Sequence, residues 1–183
     1  FTPGTAMIQP AMYIRGVATG LGQDGVTIYE DSPVTALNNN GSWVVETPHG
    51  QVSSPRVILA VNGHLNSFGY AKSRLMHVFT YASMTRALTP QEIGKLGGNP
   101  IWGLTPADPV GTTVRRISGT GGDRLIIRNR FTFDPTLEVS PKRIAKIGHD
   151  HDASFLHRFP DLSNVTMEYR CCLLYTSDAA DEH

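Results

Sequence analysis

The stretch Leu37-Asn38-Asn39-Asn40-Gly41-Ser42-Trp43-Val44-Val45-Glu46-Thr47, continuing through Pro48-His49-Gly50 to Arg56-Val57-Ile58-Leu59-Ala60-Val61-Asn62-Gly63, decides the fold. Asn and Gly tolerate positive φ, so Asn38 to Gly41 makes the strongest hairpin turn in the chain. It joins Leu37 to the β-branched run at Trp43, and Pro48-His49-Gly50 turns the chain again so that Gln51-Val52 pairs back. The run from Arg56 to Val61 is nearly continuous in apolar residues, which predicts a strand buried on both faces of a parallel sheet.

Upstream, Pro10 suits a first helical position because its missing N–H would have no partner there. Ile14, Val17, Ala18 and Leu21 follow at i, i+3, i+4 and i+7, an amphipathic stripe that stops among Gly20 and Gly22. After Gly25, the runs Val26-Thr27-Ile28-Tyr29-Glu30 and Val34-Thr35-Ala36-Leu37 read as two short strands split by Asp31-Ser32-Pro33. Downstream, residues 66–74 are polar and read as a connection between domains. A long alternating strand is expected over residues 77–87, and Thr89-Pro90-Gln91-Glu92 carries the cap, first-turn proline and early acid of a short helix. Residues 112–118 and 124–130 flank Gly119-Thr120-Gly121-Gly122-Asp123 and predict a hairpin. Ser140-Pro141 opens a second helix with Ile144, Ile147, His151, Phe155 and Phe159 on one side, and residues 165–170 alternate as a final strand.

With 16 Lys+Arg against 16 Asp+Glu in 183 residues, the formal charge is zero. That leaves no basic face for phosphate backbones, so nucleic acid is not an expected partner. No apolar run approaches the roughly 20 residues that span a bilayer, and Phe1-Thr2-Pro3-Gly4 has no leader character, so a cytoplasmic protein is expected. The neighbouring Cys171 and Cys172 cannot build a disulfide framework or a metal site alone. From Cys172 to Glu182 the sequence resembles a sequencing-library adapter translated in frame. Residues 171–183 are therefore expected to be a non-native tail.

The order helix, short strand, Val34, hairpin, Thr47-x-x-Gly50 and a hydrophobic strand ending in Ala60-Val61-Asn62-Gly63 resembles the FAD-dependent oxidoreductases of the D-amino-acid oxidase (DAO) type. The resemblance implies α/β plus α+β architecture. Residues 1–68 would be the middle of a glutathione-reductase-type FAD-binding domain, and 69–170 part of an antiparallel-sheet substrate domain, truncated at both ends. It implies that Val34 contacts adenine and that Ala60, Val61, Asn62 and Gly63 approach the dinucleotide. Asn62 departs from the small residue usual there. FAD is the implied cofactor, and a small amine or amino acid, oxidised at its C–N bond by hydride transfer to flavin, is the implied substrate. The hairpin Val114-Arg115-Arg116-Ile117-Ser118 with Asp123-Arg124-Leu125-Ile126-Ile127 resembles that of gamma-glutamylputrescine oxidase-like members, and makes Arg116 and Arg124 candidates for a substrate carboxylate. The other reading of the same hairpin is an exposed basic turn held by Asp123.

A dinucleotide fold seats its pyrophosphate on a G-x-G-x-x-G turn opening a helix. The only crowded glycines, Gly119 to Gly122, precede strand-like residues instead, so that turn and the ring-facing C-terminal part are expected outside this stretch, leaving it inactive alone. His149-Asp150-His151-Asp152 invites a metal, yet i and i+2 point apart on a helix, so no metal is expected. His64 reads as a strand end or a cofactor neighbour, and His77 as a core histidine. A non-catalytic β-rich binding module is the competing reading of the whole chain.

Overall fold

The computed structural model describes residues 6–108 and 111–178. The chain divides into two compact units, Phe1–Val61 and Asn62–His183, so the division comes just before the polar stretch expected to connect them.

The first unit opens with helix α1, Pro10–Gln23, which has proline in its first turn and a Gln9 side chain accepting from the Met12 N–H at 2.7 Å. Asp24 N–H closes it on the Gly20 carbonyl at 3.0 Å, and Gly25 leaves the helix at φ 87°. An antiparallel meander follows, of β1 (Ala36–Asn39), β2 (Trp43–Thr47) and β3 (Gly50–Ser54). The predicted turn is where the sequence put it: Asn39 pairs with Trp43, Gly41 sits at φ 91°, and the Asn39 side chain accepts from the Gly41 N–H at 3.1 Å.

Two expectations are corrected here. Residues 26–30 form no strand, and neither does the apolar run 56–61, whose Ile58 is 91% exposed. A strand exists only where a neighbour takes its N–H and C=O groups, and no described residue pairs with either run. Apolar content alone supplied the prediction of a buried parallel strand; both sheets present are antiparallel.

The second unit is a five-stranded sheet in the order β5-β6-β7-β4-β8, with β4 at Leu75–Thr85, β5 at Trp102–Leu104, β6 at Thr113–Ile117, β7 at Arg124–Phe133 and β8 at Met167–Asp178. β8 runs alongside β4 from Met167 opposite Thr85 to Asp178 opposite Leu75. Helix α3, Pro141–Arg158, covers one face. Its Phe155 joins Val114, Leu125, Ile127, Leu162, Val165 and Leu88 in the main core, while Ile147 packs on Phe79 and Tyr81. Arg130, at φ 66°, is the extra residue of a β7 bulge: Thr80 faces Phe131 and Tyr81 faces Asn129. The bulge restores the same face on either side of it, as the 2.6 Å bond between the Tyr81 and Thr132 hydroxyls shows.

Helix α2, Pro90–Leu96, has the cap, first-turn proline and early acid read from its sequence, and Thr89 and Glu92 together close a capping box. Thr89 Oγ1 accepts from the Glu92 N–H, and Glu92 accepts from the Thr89 N–H at 2.8 Å and from both Arg86 Nη atoms at 2.7 and 2.9 Å. The Arg86 guanidinium, with the Thr89 N–H, holds the Glu92 carboxyl down at about 2. A carboxyl depressed by folding stabilises above its unfolded value near 4.3 and loses that contribution as pH falls toward 2. Glu92→Gln should therefore cost about 1 kcal/mol at neutral pH, and should flatten the loss of melting temperature between pH 4.5 and 2.

Candidate functional site

The residues expected to meet a dinucleotide fall on both sides of the division. In the first unit Val34 is 41% exposed on the approach to β1, and Ala60 and Val61 lie on the extended run after β3. The main chain of residues 57–61 has no hydrogen-bond partner among the described residues. Unpaired main-chain N–H groups are what a pyrophosphate or adenine edge could use. In the second unit Asn62 stands at φ 51°, a left-handed backbone that Asn tolerates, and opens a 3-10 turn over Asn62–Phe68. Gly63 is buried there, its carbonyl 3.3 Å from His77 Nε2, which makes His77 a core histidine. His64 is exposed and its carbonyl accepts from the Ser67 hydroxyl.

Arg116 and Arg124 are both engaged within the second unit. Arg116 is 3% exposed; Nη1 donates to the Gly97 and Asn99 carbonyls at 2.9 and 3.3 Å, and Nη2 faces Asp123 at 3.4 Å. Arg124 donates to the Gly121 and Thr85 carbonyls at 2.9 and 2.8 Å, pairs with Glu168, and lies over the Tyr169 ring at 5.4 Å. Either guanidinium would have to surrender protein partners before it could fork a carboxylate. The glycines between them form the expected hairpin turn, with Gly122 at φ 82° bonded to the Gly119 carbonyl at 2.9 Å.

The His149-Asp150-His151-Asp152 run lies in α3, and among the described residues no cluster could hold a metal ion. His151 instead joins a constellation that the sequence did not reveal. Its Nδ1 is 2.7 Å from Ser83 Oγ on β4. Arg170 on β8 donates to Ser83 Oγ at 3.3 Å, to the Gly148 carbonyl at 2.7 Å and to both Asp152 oxygens at 2.7 and 2.8 Å. The group ties β4, β8 and α3 together; with Ser83 2% and His151 1% exposed, it locks the helix onto the sheet and offers no nucleophile to a substrate. Burial, aided by Arg170, pushes the His151 imidazole below its ordinary value. The folded chain thus prefers neutral His151, while the unfolded chain takes up the proton first. Stability is complete above about pH 6.5 and should fall as the pH drops below it. His151→Gln, which cannot titrate, should remove that part of the slope in melting temperature between pH 7 and 5.5.

These contacts also define the other face of the sheet. Ser83, Ile127, Val114 and Arg170 point to α3, so by the alternation of a pleated strand their neighbours point away. One row across that face is Arg115, Ile126, Met84 and Tyr169; the next is Thr113, Arg128, Ala82 and Cys171; beyond the bulge stand Phe131, Thr80 and Leu173. Of these, Phe131 and Tyr169 are 38% and 53% exposed and Thr80 and Thr113 are buried, while Cys171 and Leu173 belong to the stretch expected to be a non-native tail. A broad apolar and aromatic wall with two cations set into it suits one side of a flat ring system.

A model of the family described as FAD dependent oxidoreductase (DAO) matches residues 1–182. The chain belongs to this family. Among solved structures, glycine oxidase from Geobacillus kaustophilus is similar at a TM-score of 0.61 and 16% identity, over 90% of this chain and 41% of that one; this likeness concerns the fold. Among curated proteins, the mitochondrial dimethylglycine dehydrogenase of Rattus norvegicus is 37% identical over 62 residues, which is 33% of this chain and 7% of that protein. The chain thus spans less than half the length of either. The FAD-binding fold class read from the sequence is that of the family, and FAD is the family's cofactor. Among the described residues no helix is long and apolar enough to cross a membrane.

Proposed function

We propose that the protein oxidises the C–N bond of a small amine or amino acid. The observation that carries this reading is the family match along residues 1–182, together with an antiparallel sheet whose one face is packed by α3 and whose other is partly uncovered and largely apolar. Bound FAD would supply the acceptor for the hydride leaving the carbon next to nitrogen. What this chain supplies is position. The run through Ala60 and Val61, with Val34, offers main chain to the dinucleotide, and Asn62 and Gly63 begin the second unit. We assign residues 1–68 to the FAD-binding part and 69–170 to the substrate part. The uncovered face around Met84, Ile126 and Phe131 would exclude water from one side of the reacting atoms and hold the amine in line.

Within the family, the Arg-rich β6–β7 hairpin supports a gamma-glutamylputrescine oxidase-like subtype, whereas the two named relatives act on glycine and dimethylglycine. A non-catalytic β-rich module is not favoured, because the family match runs through both units. The test is product analysis. The flavin-loaded full-length protein, supplied with an electron acceptor and glycine, N,N-dimethylglycine or a gamma-glutamylated diamine, should release the deaminated or dealkylated carbonyl product from at least one of them. No carbonyl product from any amine would overturn the proposal.

A further inference from the structure

The hydrogen bonds around His151 run in one direction. A guanidinium can only donate, so Arg170 Nη1, 3.3 Å away, takes a lone pair of Ser83 Oγ. Among the described residues the Ser83 hydroxyl has one acceptor for its own proton, His151 Nδ1 at 2.7 Å, so the neutral ring carries its proton on Nε2. Arg170 reaches this buried pair because Gly148 has no side chain: a Cβ there would stand 3.0 Å from Nη1. A glycine inside a helix costs stability. Here it admits the guanidinium, which also takes the Gly148 carbonyl at 2.7 Å.

One proton reverses the order. A charged imidazole carries N–H on both nitrogens, so His151 and Arg170 would both point protons at Ser83 Oγ, and the Ser83 proton would lose its acceptor. The charges that reach the ring are Arg170 from β8 and Asp152 and Asp150 from α3 itself. From β7, Arg130 acts through its pair with Asp150 at 3.4 Å, and β4 presents the Ser83 hydroxyl and no charge. The two carboxylates favour a charged ring, yet Arg130 holds one and Arg170 the other. Burial and the like charge of Arg170 prevail, and the imidazole stays below its ordinary value.

We propose that His151, Ser83 and Arg170 form an acid-released latch: when His151 takes up a proton, the α3 turn from Gly148 to Asp152 moves off β4 and β8 while the sheet stays folded. Ile147 and Phe155 anchor the helix on either side of that turn, and β4 keeps its pairing with β7 without it. The seam also has room. Between α3 and β8 lies a cavity of about 220 Å³, lined by Asp152, Phe155, Leu156, Val165, Met167 and Arg170. The Asp152 and Arg170 side chains are 42% and 33% exposed, so a small outward movement of the turn brings the charged ring to solvent.

Amide hydrogen exchange of the full-length protein, corrected for the intrinsic effect of pH, tests the latch. Protection at residues 151–156 should fall about tenfold between pH 7.5 and 5, because the released ring charges near its ordinary value of about 6.5. The amides of β6 and β7 should keep theirs. His151→Asn offers an acceptor oxygen near the place of Nδ1 and cannot titrate, so its α3 protection should hold over the same range. His149→Gln, on the exposed side of α3, should respond as the parent does. Arg170→Met removes the second donor and the like charge, so the His151 ring, followed by NMR, should titrate at higher pH than in the parent. Equal α3 protection at the two pH values in the parent, or a loss spread evenly over β6 and β7, would overturn the latch. So would an acid response that persists in His151→Asn, or a His151 titration that Arg170→Met leaves in place.

Discussion

Phe155→Ala should lower the unfolding free energy of the chain by about 3–5 kcal/mol, the largest effect expected of any single core truncation here. Phe155 is 1% exposed and is the residue through which α3 enters the main core, against Val114, Leu125 and Ile127 on two strands, with the Phe159 ring 5.4 Å away. Truncation removes the ring's transfer free energy and leaves a cavity walled by strands that cannot close over it. Leu156→Ala, one residue on and 44% exposed, is the control and should stay within about 0.5 kcal/mol. Urea unfolding of the two variants beside the parent reads both numbers.

Arg116→Ala should cost about 3 kcal/mol, from two main-chain carbonyls stranded in the interior and an Asp123 carboxylate left facing no cation. Arg116→Met keeps most of the buried volume and should cost less. A residue whose hydrogen bonds all go to its own chain acts on folding, so any rise in KM should be the same for amines with and without a carboxylate. A rise confined to carboxylate-bearing amines would return Arg116 to the substrate.

Local signals were legible where the chemistry is local. The Thr89 cap, the Asn-Gly hairpin and the Ser140-Pro141 helix start each depend on residues a few positions apart, and each formed as read. The runs at 26–30 and 56–61 failed because a strand is a property of two segments, and apolar composition names no partner. The three-residue β5 was too short to show a period. For the hairpin arginines, alternation alone puts Arg115 and Arg116 on opposite faces, but only the β6–β7 and β4–β7 registers, with α3 in place, tell which face is packed. The sequence singled out Arg116 and Arg124, and the structure engages both with partners inside the second unit. The Ser83–His151–Arg170 group joins three elements far apart in the chain and had no local signature.

Anaerobic mixing of the flavin-loaded full-length protein with an amine, followed at the flavin's visible absorbance band, tests the central claim most directly. Oxidation of a C–N bond by hydride transfer predicts that the oxidised flavin band is bleached in the absence of any other acceptor, to one equivalent of substrate oxidised per flavin. A flavin band that stays intact with every amine and amino acid offered, while dithionite still bleaches it, would contradict the claim.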